Sequence, residues 1–378
     1  MPECLLGLGS NVGDRARQLD LAIQHLCACP HVALRAASAH HQTRPVGGPA
    51  GQADFLNTVV RVATDLRPPQ VLAWVKHVEQ ELGRAPSERW GPRSIDIDVL
   101  LYDLLVMSTN DLVVPHPRMA VRRFVLEPAC EIGAEMIHPT TGWTLEQLLA
   151  RLNQPSNYVA VCCADGQLSE QLVGTAARQM NAVALHAPAV QPHHITATTA
   201  FGTRRAVRDA LRHELDTLAS RCDALGSIAA ADWQERLVIS SFWLNQSLAV
   251  SRTWPPGPER KRLQAACHAA LKQVPRPLFV LFLDWNAPLA PALPGPERPA
   301  HPPAQCSRWP LAWQLRRQMA IDPQSPVLTA QAEDVDAALD TLQTGMDATR
   351  RISENPYRAH DNIHRTGNTV LQDERRVR

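Results

Sequence analysis

Residues 94–102 read Ser-Ile-Asp-Ile-Asp-Val-Leu-Leu-Tyr, and their alternation constrains the fold more than any other stretch of the chain. Successive side chains of a strand point to opposite faces. Asp96 and Asp98 therefore share one face, and Ile95, Ile97 and Val99 take the other, which can be buried. Two carboxylates on one rigid face suit Mg²⁺, a hard ion that takes oxygen ligands and usually shares its site with substrate phosphates. The spacing alone is equally that of an exposed strand face. The preceding Arg89-Trp90-Gly91-Pro92-Arg93 favours the phosphate reading, because arginines there can neutralise phosphate charge.

With 378 residues, 45% of them hydrophobic, the chain has room for two domains with real cores. Its 38 basic and 37 acidic residues nearly cancel, so no global charge argues for nucleic acid or an anionic membrane as partner. The nine cysteines are odd in number, scattered, and contain no C-x-x-C pair. That pattern argues against a disulfide framework or zinc site and for a reducing compartment. The N-terminus lacks a basic, then apolar, leader, and no stretch approaches the ~20 apolar residues of a membrane span. These features predict a soluble, cytoplasmic protein.

Strands are expected at 3–9, 32–43, 55–62 and 94–102, with a hairpin-like return through 104–114. Helices are expected at 14–28, with Leu19, Ala22, Ile23 and Leu26 on one face, at 68–82 and at 118–132. Gly/Pro-rich and Arg-rich loops separate them at 44–53 and 83–93. Alternating strands and helices predict a layered α/β or α+β arrangement. A boundary falls at Asn153-Gln154-Pro155-Ser156-Asn157. The predicted division is 1–155, 156–351 and a polar, disordered tail at 352–378. Beyond the boundary, 158–163 and 278–283 read as buried strands, the latter parallel, and Val327-Leu328 as a last strand. Helices are expected at 166–181, 204–222, 258–273 and 333–350. Residues 187–203 read as irregular and the proline-rich 286–310 as a long loop.

Taken in order, LGLGSNVGDR, TRPVGGPAGQADFLN, ELGR, RWGPRSIDIDVLLYD and VPHPRMAVRRFVLEPACEI resemble the 6-hydroxymethyl-7,8-dihydropterin pyrophosphokinases of folate biosynthesis. The resemblance covers residues 1–152 and implies a ferredoxin-like α+β core with catalytic loops over one face of the sheet. It implies transfer of a pyrophosphoryl group from ATP to the pterin's hydroxymethyl oxygen, by attack at the β-phosphorus, with AMP as second product. Asp96 and Asp98 match the family's pair that holds two Mg²⁺ ions on the ATP phosphates. Arg93 matches a phosphate-contacting arginine and Arg84 a mobile-loop arginine; read alone, Arg84 is equally a solvated loop charge. His116, Arg122 and Glu79 match ATP-contacting positions, although alone His116 reads as structural and Glu79 as a surface helix residue.

A pterin is flat, polar at its edge and aromatic on its faces, so its site needs a ring sandwich and paired amide-type hydrogen bonds. Phe55 and Phe124 match the family's stacking pair, and Asn57 the asparagine that reads the pterin edge. Thr43 and Val46 match loop positions that contribute backbone, and Trp90 can close over the site. Phe55 replaces a tyrosine of some members, keeping the stack and losing a hydroxyl. Arg44 and Pro117 match variable positions and receive no role.

Residues 157–350 resemble the deoxynucleoside kinases, a branch of the P-loop kinases, through YVAVCCADGQLSEQL, LVISSFWLNQSLAVSRTW and PLFVLFLDWNAP. That implies an α/β domain whose phosphate loop is degenerate. The loop needs G-x-x-x-x-G-K-[ST], and this chain has Ala164, Ser169, Glu170 and Gln171 at the four defining places. Ser241 stands where the family often has aspartate, and a proline-rich stretch replaces the basic lid, with Arg316 and Arg317 beyond it. A glutamate in place of the lysine repels phosphate, so a non-phosphorylating domain is expected, which can serve homodimerisation. Two rival readings stand beside this one. The first is a bifunctional enzyme whose second domain phosphorylates nucleosides. The second is a scaffold that only binds pterin or ATP, against which intact Asp96, Asp98 and Arg93 argue.

Overall fold

The computed structural model describes residues 1–49, 51–84, 91–154, 158–186, 204–227, 237–284, 309–321 and 325–349. The chain forms two compact units. The first comprises Met1–Asp103 and Arg122–Glu135, together with the chain from Asp347 on. The second comprises Leu104–Val121 and Met136–Met346.

In the first unit the strands are β1 (Glu3–Ser10), β2 (Val32–Ala37), β3 (His41–Thr43), β4 (Phe55–Thr64) and β5 (Asp96–Tyr102). The helices are α1 (Arg15–Cys27), α2 (Pro68–Glu81) and α3 (Arg123–Gly133). The sheet order is β2-β4-β1-β5, all antiparallel, with β3 also on β4. Leaving β3 aside, the sequence β1-α1-β2-β4-α2-β5 in that order is the split β-α-β plan expected of a ferredoxin-like core. Alternation explains the burial: Leu6 and Leu8 on β1 and Ile97 and Val99 on β5 are almost fully buried. Asp14 caps α1 by accepting the Arg17 amide, and prolines open α2, where a missing N–H costs nothing.

Two boundaries differ from expectation. The single strand expected over 32–43 is two strands, because at Ser38 the amide still donates to the Val59 carbonyl but the hydroxyl, in place of the backbone carbonyl, accepts the Val59 amide. The helix expected at 118–132 starts later, after a 3₁₀ turn at Met119–Val121.

In the second unit five strands form an open, all-parallel sheet. Their spatial order is Val183–Leu185, Val238–Ser240, Tyr158–Cys163, Val280–Asp284, Val327–Gln331. Both faces are covered, as a parallel sheet requires. Val159, Val161 and Cys163 pack with Leu172 and Val173 of helix Gly166–Met180 and with Leu342 of helix Val335–Thr349. Tyr158, Ala160 and Cys162 face the other way, onto Leu225, Ala249 and Leu315 from helices Arg204–Gly226, Gln246–Thr253 and Trp309–Ile321. Among the described residues no helix is long and apolar enough to cross a membrane. The expectations for Trp90, for residues 187–203 and for the tail at 352–378 lie outside the described residues, as does nearly all of the 286–310 loop.

Candidate active site

The site grows from the end of β1. Gly9 is registered against Asn57 of β4 on one side and Asp96 of β5 on the other. Residues opposite one another in a ladder point to the same face, with strands about 4.8 Å apart. The Asn57 amide and the Asp96 carboxylate therefore stand about 10 Å apart across three strands. Gly9 leaves room for this: a Cβ there would lie 2.8 Å from Asn57 Oδ1. Asn57 is buried, and its Nδ2 donates to Thr43 Oγ1 at 2.6 Å, which fixes the orientation of its amide. Phe55 lies two residues away on the same strand, paired with Thr43.

On β5, Asp96 receives two arginines: Arg93 Nη1 donates to Oδ2 at 2.6 Å and Arg84 Nη1 to Oδ1 at 2.9 Å. Arg84 also pairs with Glu79 of α2, whose Oε1 accepts the Ile97 amide at 2.7 Å. Glu79 is thus a buried carboxylate that satisfies a backbone amide of the edge strand, not a surface helix residue. Burial raises its pKa, opposed by the Ile97 amide and Arg84. Arg122, at the N-cap of α3, reaches Asp98 Oδ2 at 3.5 Å, and its guanidinium lies 5.4 Å from the Phe124 ring centroid. Burial lowers the Arg122 pKa while Asp98 and Asp96 raise it. Burial and the neighbouring Asp98 push the Asp96 carboxyl above its ordinary range, with Arg93 and Arg84 pulling the other way.

The structure therefore brings together Thr43, Phe55 and Asn57 on one side and Glu79, Arg84, Arg93, Asp96, Asp98, Arg122 and Phe124 on the other, all within the first unit. Val46 sits half-buried in the loop that follows β3. His116 falls in the second unit, where its Nδ1 accepts the Arg118 amide at 3.2 Å. Asn11 had been given no role, yet it ties both halves of the site. Its Oδ1 accepts the Arg93 amide at 2.7 Å, and its Nδ2 donates to Gln52 Oε1 at 3.2 Å in the loop that carries Val46. The signal for it was its place in LGLGSNVGDR, one residue past the strand that separates Asn57 from Asp96.

Residues 5–134 match the family model described as 7,8-dihydro-6-hydroxymethylpterin-pyrophosphokinase. The 2-amino-4-hydroxy-6-hydroxymethyldihydropteridine pyrophosphokinase of Methylorubrum extorquens is 42% identical over 153 residues, covering 40% of this chain and 95% of that protein. The chain belongs to the 7,8-dihydro-6-hydroxymethylpterin-pyrophosphokinase family. The Bacillus subtilis enzyme of the same name is 40% identical over 142 residues, 38% of this chain and 84% of that protein. The protein named bifunctional FolKE of Lactococcus lactis is 41% identical over 132 residues, 35% of this chain and 38% of that protein. Membership makes this chain an ATP-dependent pyrophosphokinase of folate biosynthesis, with ATP as co-substrate and a pterin as acceptor. It also fixes the fold of the first unit as the family's. These matches account for about 40% of the chain at most; the family model reaches only Leu104–Val121 of the second unit, and the rest of that unit takes no assignment from it.

Because Thr43 holds the Asn57 amide, a methyl group at Gly9 forces the Asn57 carbonyl off its position. Gly9→Ala is expected to raise the KM for the pterin about tenfold, the scale of one hydrogen bond to a fixed polar group, and to leave the KM for ATP within about twofold. Steady-state kinetics with each substrate varied in turn would check it.

Proposed function

We propose that the site performs pyrophosphoryl transfer with the roles divided across Gly9. Asn57, held by Thr43, reads the edge of the pterin, with Phe55 and Phe124 as its stacking aromatics and Val46 supplying backbone from the loop. Asp96 and Asp98 are the residues that would hold two Mg²⁺ ions. The donor set fits that metal: two hard carboxylates on one strand face, with no soft sulfur or nitrogen ligand required. Mg²⁺ keeps waters and takes its remaining ligands from phosphates; bound there, it would neutralise charge on the β- and γ-phosphoryl oxygens.

The pterin's hydroxymethyl oxygen attacks the β-phosphorus, the bond from that phosphorus to the α–β bridging oxygen breaks, AMP leaves with that oxygen, and the hydroxyl proton is released to solvent. Phosphoryl transition states demand positioning and charge neutralisation more than covalent chemistry. Arg84, Arg93 and Arg122, now on the two carboxylates, are the groups that pass to phosphate oxygens when nucleotide arrives. Glu79 keeps Arg84 within reach of that position. The observation that carries this reading is the register that puts Asn57 and Asp96 on either side of Gly9. The test is product identity: the full chain with ATP, Mg²⁺ and 6-hydroxymethyl-7,8-dihydropterin should release AMP only when pterin is present. ADP, or AMP independent of pterin, would refute it.

The acid limb of the pH profile should report Asp96. Only its carboxylate binds metal, so kcat/KM should fall as pH drops through its raised pKa. Arg84→Ala removes a group that lowers that pKa and should move the acid limb to higher pH. An unmoved limb would show that another group controls it.

For the rest of the chain we propose a domain from 156 to 351 of P-loop kinase-like, deoxynucleoside kinase-like fold that does not phosphorylate. The parallel five-stranded sheet supports the fold, with the domain's first strand at its centre and a helix leading directly from it. Ligands of open α/β sheets bind at the carboxyl ends of the strands. There, Asp165 caps helix Gly166–Met180 by accepting the Gln167 amide, and Glu170 follows in the next turn. Two carboxylates at a helix N-terminus disfavour a phosphate. Arg316 is engaged by Asp284 at 2.5 Å, and Arg317 lies over Trp313. Homodimerisation of a cytoplasmic enzyme is the role that remains for such a domain, and sedimentation of the full chain tests it. Nucleoside-dependent ADP formation would overturn the non-phosphorylating reading.

A further inference from the structure

The geometry points to Glu131 as a positioning residue for the pterin half of the site. Glu131 lies on α3, eight residues beyond the start of the helix and on the same element as Phe124. Both of its carboxylate oxygens are used. Oε1 meets His41 Nε2 at 2.8 Å, and Oε2 accepts the Ala39 amide at 2.9 Å. His41 is itself buried, at 6% exposure, and opens β3. It is registered against Asn57, and Thr43, two residues on, supplies the hydroxyl that orients the Asn57 amide.

One carboxylate therefore clamps the helix that bears Phe124 to the short strand that sets Asn57. The strand needs the clamp. It is three residues long, it is joined to β2 through a segment where the ladder breaks, and the Gly/Pro-rich loop 44–53 follows it. Three ladder residues on one neighbour are a weak anchor against fraying. A bidentate, charge-assisted attachment to a helix fixes it to a few tenths of an ångström, which is the tolerance a binding constellation needs. Without it, β3 and α3 are joined chiefly through β4, and the ring sandwich and the edge reader lose their direct common frame. Glu131 bonds to no group of the phosphate side: Asp96, Arg84 and Arg93 pair among β5, α2 and the preceding loop, and Arg122, at the opposite end of α3, is held by Asp98.

This inference rests on the assignment of Asn57 and Phe124 to the pterin, and its test separates the two. Glu131→Ala, Glu131→Gln, Asn57→Ala and Phe124→Ala would be compared in the full chain, with kcat and both KM values from pterin-dependent AMP release and melting temperatures alongside. Glu131→Ala should raise the pterin KM about tenfold, the scale of one charge-assisted hydrogen bond, with the ATP KM and kcat within about twofold. Glu131→Gln keeps an acceptor for the Ala39 amide and a donor for His41 Nε2, and should recover most of the loss. A pterin KM unchanged in Glu131→Ala while Asn57→Ala and Phe124→Ala raise it would overturn the positioning role and leave the pterin site standing. So would a lowered melting temperature with kcat and both KM values falling off together. Normal pterin KM values in Asn57→Ala and Phe124→Ala would overturn the assignment beneath it.

Discussion

Asp96→Ala should abolish pterin-dependent AMP release, with kcat falling on the order of 10³-fold or more, equivalent to about 4 kcal/mol of transition-state stabilisation. Asp96 is the point where everything on the phosphate side meets: two arginines bond to its oxygens, and its neighbour Asp98 raises its pKa. Removing it takes away a metal ligand and leaves Arg84 and Arg93 without the carboxylate that now holds them. Circular dichroism on the variant should be unchanged, because Asp96 lies at the start of β5 and outside the apolar core.

The same carboxylate works against stability, which gives the experiment a second readout. Burial and Asp98 raise the Asp96 pKa in the folded state. Between the unfolded value and the raised one the native state binds more protons, so unfolding free energy falls as pH rises through that window. At neutral pH the ionised group is a net cost. Asp96→Asn, which keeps the shape and removes the charge, should therefore melt at or above the wild-type temperature while remaining inactive. A variant that is inactive and also less stable would mean that the arginines contribute more to folding through Asp96 than burial takes away.

Much of this arrangement was legible in the sequence, because it depends on a period of two. The alternation at 96–99 gave Asp96 and Asp98 a shared face opposite buried Ile97 and Val99, whereas β1 and β4 are buried on both faces for most of their length. Order along the chain could not reveal register across it. That Gly9 stands between Asn57 and Asp96, or that Asn11 holds the Arg93 amide, depends on which residues pair in non-adjacent strands. The break at Ser38 was hidden for a related reason: nothing in Arg-Ala-Ala-Ser-Ala-His stops a strand, and it is the Ser38 hydroxyl bonding to Val59 that ends one. Nothing in the sequence singles out Glu131, whose two partners, Ala39 just before β3 and His41 at its start, lie some ninety residues away. In the second unit the strands at 158–163 and 280–284 are plain as apolar runs, whereas the three-residue strands Val183–Leu185 and Val238–Ser240 are too short to show a period and helix Trp309–Ile321 is masked by the proline-rich stretch before it.

Arg93→Ala should be the most damaging change outside the carboxylates, lowering kcat about 10²–10³-fold, the range for loss of one preorganised charge donor to a developing oxyanion. Its position is over-determined. The Asn11 side chain accepts its amide, the Asn11 amide donates to its carbonyl, and its guanidinium is held on Asp96. A charge fixed in this way needs little reorganisation when it turns to phosphate. Arg93→Lys should recover only a small part of the loss, because an ammonium supplies a point charge where the guanidinium supplies a planar fork. Arg84→Ala should cost less, since Arg84 divides its charge between Glu79 and Asp96 and so enters the transition state from a competing partner. The double variant separates this account from independent contributions. If both arginines act on the same phosphoryl oxygens through Asp96, the combined loss will fall short of the product of the single losses. Losses that multiply cleanly would mean that Arg84 and Arg93 serve different oxygens, and that their meeting on Asp96 belongs only to the enzyme without nucleotide.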